Sequence, residues 1–70
     1  MTESKRIDEA TGYLMTILLQ RLETSNPGLI QELLDGVHAD RNAIAATDDM
    51  TPEVEETFTT AFSILEHARR

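Results

Sequence analysis

The sequence predicts an all-α protein built from three helices. Apolar residues recur at helical spacing in three stretches, and short polar or proline-containing breaks separate them. Strand-like alternation never extends beyond a few residues. We expect a single small domain over residues 1–70, with helices at about 4–23, 27–46 and 52–68. Helices 1 and 2 should form an antiparallel hairpin, because only a short connection joins them, and helix 3 should pack across it.

The first helix carries more apolar side chains than one neighbouring helix can cover. Its main stripe, expected to face the core, follows the spacing i, i+3, i+4, i+7 and comprises Ile7, Ala10, Thr11, Leu14, Ile17, Leu18, Arg21 and Leu22. Tyr13, Met15 and Leu19 lie on its flanks or beyond them. Either helix 1 sits in the middle of the domain, or its additional apolar face is an oligomer interface. The candidate interface residues are Tyr13, Met15, Leu19 and Leu22.

The second helix is expected to begin with Asn26 as N-cap and Pro27 as its first residue, where a missing N–H does no harm. Its apolar stripe comprises Leu29, Ile30, Leu33, Leu34, Val37 and Ile44. In an antiparallel hairpin, Gly12 and Gly36 fall at one height. This placement predicts a close crossing of helices 1 and 2 at the two glycines.

The third helix has the clearest start, because Thr51 followed by Pro52 repeats the pattern of a cap before proline. Acidic residues fill its first turns, and His67, Arg69 and Arg70 end it, as the helix dipole favours. Its predicted core face comprises Val54, Phe58, Ala61, Phe62, Leu65 and Ala68.

Length and composition point to self-association. A chain of 70 residues buries a modest core, and such chains are often stabilised by disulfides, metals or oligomerisation. The chain has no cysteine, which excludes disulfides, thiolate metal sites and a cysteine nucleophile. Its two histidines are far apart in sequence. We therefore predict a homodimeric helical bundle, and no cofactor.

The net charge of −7 restricts the classes of partner. Nucleic-acid phosphates require Lys and Arg, so we expect no direct binding to nucleic acid, and none to anionic membranes. A basic protein is a compatible partner. No apolar run reaches the length of a membrane span, and the N-terminus lacks the pattern of a signal peptide, so the expected location is the cytoplasm.

An acidic cluster precedes and opens helix 3 and consists of Asp48, Asp49, Glu53, Glu55 and Glu56. It lacks the spacing of a calcium-binding EF-hand loop. Helix capping and solubility explain it most simply. The alternative is an acidic surface for a basic partner.

A second cluster places His38 with Asp35 and Glu32 on roughly one face of helix 2. A histidine and two carboxylates could bind a divalent metal or perform acid–base chemistry. Metal-binding bundles usually draw such ligands from several helices, whereas these three residues lie on one helix. A solvated polar face is therefore the simpler interpretation.

These observations favour a non-enzymatic protein that acts through protein–protein interaction, as a regulator or inhibitor of a basic partner. The alternative function is metal or ligand binding through His38 and its neighbouring carboxylates. A third reading is a structural subunit of a larger complex. A helix-turn-helix DNA reader is disfavoured, because helix 3 opens with three glutamates.

Overall fold

The structure is a computed structural model that describes the backbone of residues 2–70 and the side chains of residues 8–70. Over this range the chain forms three α-helices and no β-strand: α1 (Thr2–Ser25), α2 (Leu29–Ala46) and α3 (Pro52–Arg69). The predicted all-α class is confirmed. The expected helix boundaries lie within about two residues of those observed.

The turn between α1 and α2 differs from the prediction. Pro27 lies in the turn, and the residue before α2 is Gly28, whose φ of 98° is left-handed. Gly28 has no side chain with which to cap α2, and the Glu23 carboxylate takes that role. It accepts hydrogen bonds from the Gly28 N–H at 2.6 Å and from the Ile30 N–H at 2.8 Å. Asn26 as N-cap was therefore wrong, because the cap comes from the last turns of α1.

The start of α3 is confirmed. The Thr51 hydroxyl accepts a hydrogen bond from the Val54 N–H at 3.2 Å, and Pro52 is the first helical residue. Before it, Asp48 adopts a φ of 61°, a left-handed conformation that Asp tolerates better than most residues. This residue redirects the chain after α2, so that α3 runs back toward the α1–α2 turn.

The core lies near that turn, where all three helices meet. Among the described side chains, the buried ones are Leu19, Ile30, Leu34, Leu65 and Ala68. Val37, Phe62 and Ile64 pack against them while partly exposed. Helix α3 packs against both α1 and α2, whereas α1 and α2 have fewer close approaches to each other.

The predicted close crossing of helices 1 and 2 at two glycines is wrong. A Cβ atom built on Gly12 would lie 3.9 Å from the Cδ1 atom of Ile64, so Gly12 faces α3. A Cβ atom on Gly36 would meet nothing within 4 Å. Gly36 therefore has open space beside it among the residues that the structure describes.

The molecule is a thin plate with extents of 37 × 35 × 13 Å. Its radius of gyration is 13.6 Å, whereas a compact domain of this length has about 11 Å. Its accessible surface is 5452 Å², compared with about 4,400 Å² for a compact monomer of its mass. The plate thus leaves more surface exposed than its size requires.

Candidate functional site

The most exposed apolar feature is a row of leucines along α1, which we call the leucine ridge: Leu14, Leu18 and Leu22. Residues four apart are neighbours on a helix, so the three side chains form one line. Leu14 is 62% exposed and Leu18 is 51% exposed. The prediction that these two face the core was wrong. Helix α3 packs instead on the side of α1 that bears Gly12 and Leu19.

Three of the four candidate interface residues are exposed. Tyr13 is 66% exposed, and Met15 and Leu22 are also accessible. Leu19 is only 7% exposed and belongs to the core of its own chain. The accessible part of Leu19 lines an apolar groove between the helices, so its place at an interface stays a prediction.

An apolar groove borders the leucine ridge, and all three helices contribute to it. Its volume is about 240 Å³, and its lining is entirely apolar: Met15, Leu19, Leu33, Val37, Ala61, Ile64 and Leu65. Met15 connects the two features, since it lines the groove and lies three residues before Leu18. The leucine ridge and the apolar groove are therefore parts of one continuous apolar face.

Four of the five residues of the predicted acidic surface are exposed, and the fifth, Glu55, is partly exposed. Glu53 and Glu56 are exposed and line a shallow depression of about 460 Å³, which also reaches Ala61 and Ile64 of the apolar groove. Asp48 and Asp49 are exposed in the α2–α3 connection.

Glu55 behaves differently from the other acids of the cluster. Its two carboxylate oxygens accept hydrogen bonds from the Arg41 Nε and Nη2 atoms, both at 2.9 Å. Glu55 therefore joins α3 to α2 as half of an ion pair and stays partly exposed, and its part in binding a partner stays a prediction.

The His38 cluster is not assembled as a metal site. The His38 ring packs against Phe62, with ring centroids 4.2 Å apart, and Asp35 accepts a hydrogen bond from the Gln31 amide at 3.0 Å. Among the side chains of residues 8–70, no group of three His, Asp or Glu residues is placed to hold a metal ion.

Sequence reasoning missed the role of Glu23. Two backbone N–H groups, of Ile30 first and of Gly28, hold the pKa of the Glu23 carboxyl below its ordinary value. Its partners lie five and seven residues away, just before α2 and in its first turn, so no local capping pattern signals the contact. The nearest available signal was an acid close to a predicted turn.

Searches with this chain against protein-family models, curated proteins and solved structures found no match. Within the described part of the chain, none of the helices has the length and apolar character that crossing a membrane requires.

Proposed function

We propose that this chain is a non-enzymatic interaction protein that forms a homodimer through its apolar face and offers its acidic surface to a basic partner. By binding that partner, it would act as the partner's regulator or inhibitor. The exposed leucine ridge is the observation that carries the proposal. Three large apolar side chains in one line, bordered by an apolar groove, form the kind of patch that marks an interaction site.

The amount of exposed surface agrees with self-association. The chain exposes 5452 Å², which exceeds the expectation for a compact monomer by about 1,000 Å². A standard stable interface covers about 800 Å² on each partner. One interface of ordinary size would therefore bring this small plate to the exposed area of a compact protein.

The acidic surface supports a second contact, with a basic protein. Its accessible members are Asp48, Asp49, Glu53 and Glu56. With a net charge of −7, the chain attracts cationic surfaces at a distance and repels anionic ones. The acidic depression adjoins the apolar groove at Ala61 and Ile64, so the basic partner would bind beside the proposed dimer interface.

The first experiment is the absolute mass in solution, by light scattering behind a sizing column over a range of concentrations. We expect the wild-type chain to have twice its 7.8 kDa mass. Leu18→Glu should shift the population to monomer, because it puts a charge in the middle of the leucine ridge. Gln20→Glu adds the same charge at another exposed position of α1 and should leave the mass unchanged. A wild-type monomer at all concentrations would reject self-association.

The second experiment tests the acidic surface. Proteins retained by the immobilised chain are identified, and the affinity of the purified basic candidate is measured by calorimetry. Glu53→Gln with Glu56→Gln should weaken binding, and added salt should weaken it further. Glu32→Gln with Asp35→Asn removes the same charge from exposed positions on α2 and serves as the control. Equal affinities for the two double variants would reject this surface.

A further inference from the structure

We infer that the two copies of the dimer insert into each other: the leucine ridge of each chain occupies the apolar groove of the other. This inference rests on the proposed self-association and specifies its geometry. The occupant of the apolar groove is then α1 of a second copy, presented through Leu14, Leu18 and Leu22.

The placement of the two features makes this geometry possible. The leucine ridge and the apolar groove are side by side on one face and share the border at Met15. A two-fold dimer uses the same patch on both chains, so the patch must be complementary to itself. A projecting row beside a depression of matching chemistry is the kind of patch that a two-fold axis can pair with itself, row into depression.

Helix packing geometry favours the same arrangement. Rows of side chains spaced by four residues are the ridges that enter grooves between neighbouring helical rows. The leucine ridge is one such row, and the groove of about 240 Å³ is open and lined only by apolar side chains. Filling it would cover Leu33, which is exposed in the single chain.

Gly36 supplies an independent observation. It follows Leu33 by three residues, so it lies on the same side of α2. A Cβ atom there would meet nothing within 4 Å in the single chain. Glycine is unfavourable inside a helix, yet no described residue of the same chain occupies the space that it leaves. The second copy's α1 would use that space for close approach to α2.

The test uses single cysteines, which are unique because the chain contains none. Chains that carry Leu18→Cys are mixed with chains that carry Leu33→Cys, and one of the two kinds has a small tag. The mixture is allowed to exchange subunits and is then treated with a short bismaleimide. We expect a covalent product with the mass of one chain of each kind. Leu18→Cys mixed with Ser63→Cys serves as the control for random collision and should give much less of the mixed product.

The outcomes separate this inference from the proposed function. If light scattering shows a dimer but the Leu18–Leu33 product is no more abundant than the Leu18–Ser63 product, the insertion is rejected and the homodimer stands. If the chain is a monomer, both are rejected. The apolar groove would then be assigned to a helix of a different protein.

A second variant tests the insertion without replacing any residue of the leucine ridge or the apolar groove by cysteine. Gly36→Leu should raise the dissociation constant of the dimer at least tenfold, because its side chain fills the space that the second copy needs. The monomer should melt at the same or a higher temperature, since leucine favours a helix more than glycine does. Ala39→Leu, at an exposed position elsewhere on α2, should leave the dissociation constant within twofold of wild type. Unchanged dimerisation in Gly36→Leu would overturn the insertion.

Discussion

Leu18 and Leu19 are adjacent in the chain, yet Leu18 is largely exposed and Leu19 is buried. The difference follows from the position of α3, which packs on the side of α1 that bears Leu19 and leaves the leucine ridge uncovered. Two apolar regions thus share one helix: a small core near the α1–α2 turn, and an open face of ridge and groove. The core holds the three helices together, and the open face is the part available to a second molecule.

The strongest way to break the core is to shorten its most buried side chain. Ile30 is only 1% exposed, so Ile30→Ala should leave a cavity and lower the free energy of unfolding by about 2–5 kcal/mol. In a chain with so few buried side chains, this loss should abolish cooperative unfolding at moderate temperature. Circular dichroism during heating measures it. A melting curve like that of wild type would show that the core is not the stabilising centre.

A matched truncation on the open face should weaken the dimer more than it destabilises the monomer. Leu14→Ala removes a comparable apolar group from an exposed position, so the monomer should lose less than about 0.5 kcal/mol. The dimer should lose about 1–2 kcal/mol, or roughly tenfold in its dissociation constant. The melting temperature measured against concentration separates the two terms. A loss that is independent of concentration would place Leu14 in the monomer's stability and contradict the comparison.

The same comparison explains what the sequence could predict. Three helices, their approximate bounds and the cap at Thr51 follow from local patterns, because caps and periodicity depend on residues close in the chain. The buried face of α1 does not follow from local patterns. Leucines on both of its faces satisfy helical spacing, and only the position of α3 decides which of them is covered. Leu14 and Leu18 were wrongly placed in the core stripe for that reason.

In the candidate site, too, local patterns predict some features, whereas others depend on how the helices pack. The exposure of Tyr13 and Met15 agrees with their place beyond the predicted core stripe. The pairing of Glu55 with Arg41 joins residues 14 positions apart on different helices, and no spacing rule reaches that distance. The apolar groove is also beyond sequence reasoning, since its lining comes from three helices.

A smaller loss of stability is expected when the Glu23 carboxylate, which caps α2 beside the core, is removed. Its folded-state pKa lies below the ordinary value, so its stabilisation is fully present above about pH 4.3 and is lost as the pH falls through the folded pKa. Charge-assisted hydrogen bonds to backbone N–H groups are stronger than neutral ones. Glu23→Gln should lower the melting temperature at pH 7 and flatten its decline on acidification. Glu9→Gln, at an exposed position of α1, is the control, and equal acid profiles for wild type and Glu23→Gln would contradict the assignment.

The smallest expected effect is at the ion pair between Arg41 and Glu55, which are not among the buried core residues and do not line the apolar groove. Arg41→Lys keeps the charge but cannot reproduce the two parallel hydrogen bonds. Both side chains are partly exposed to solvent, so the free energy of unfolding should fall by less than about 1 kcal/mol, and added salt should shrink the difference. Chemical denaturation at low and high ionic strength measures it, with Arg21→Lys as the control. A loss as large as that of Ile30→Ala would mean that the link between α2 and α3, and not the core near the turn, holds the plate together.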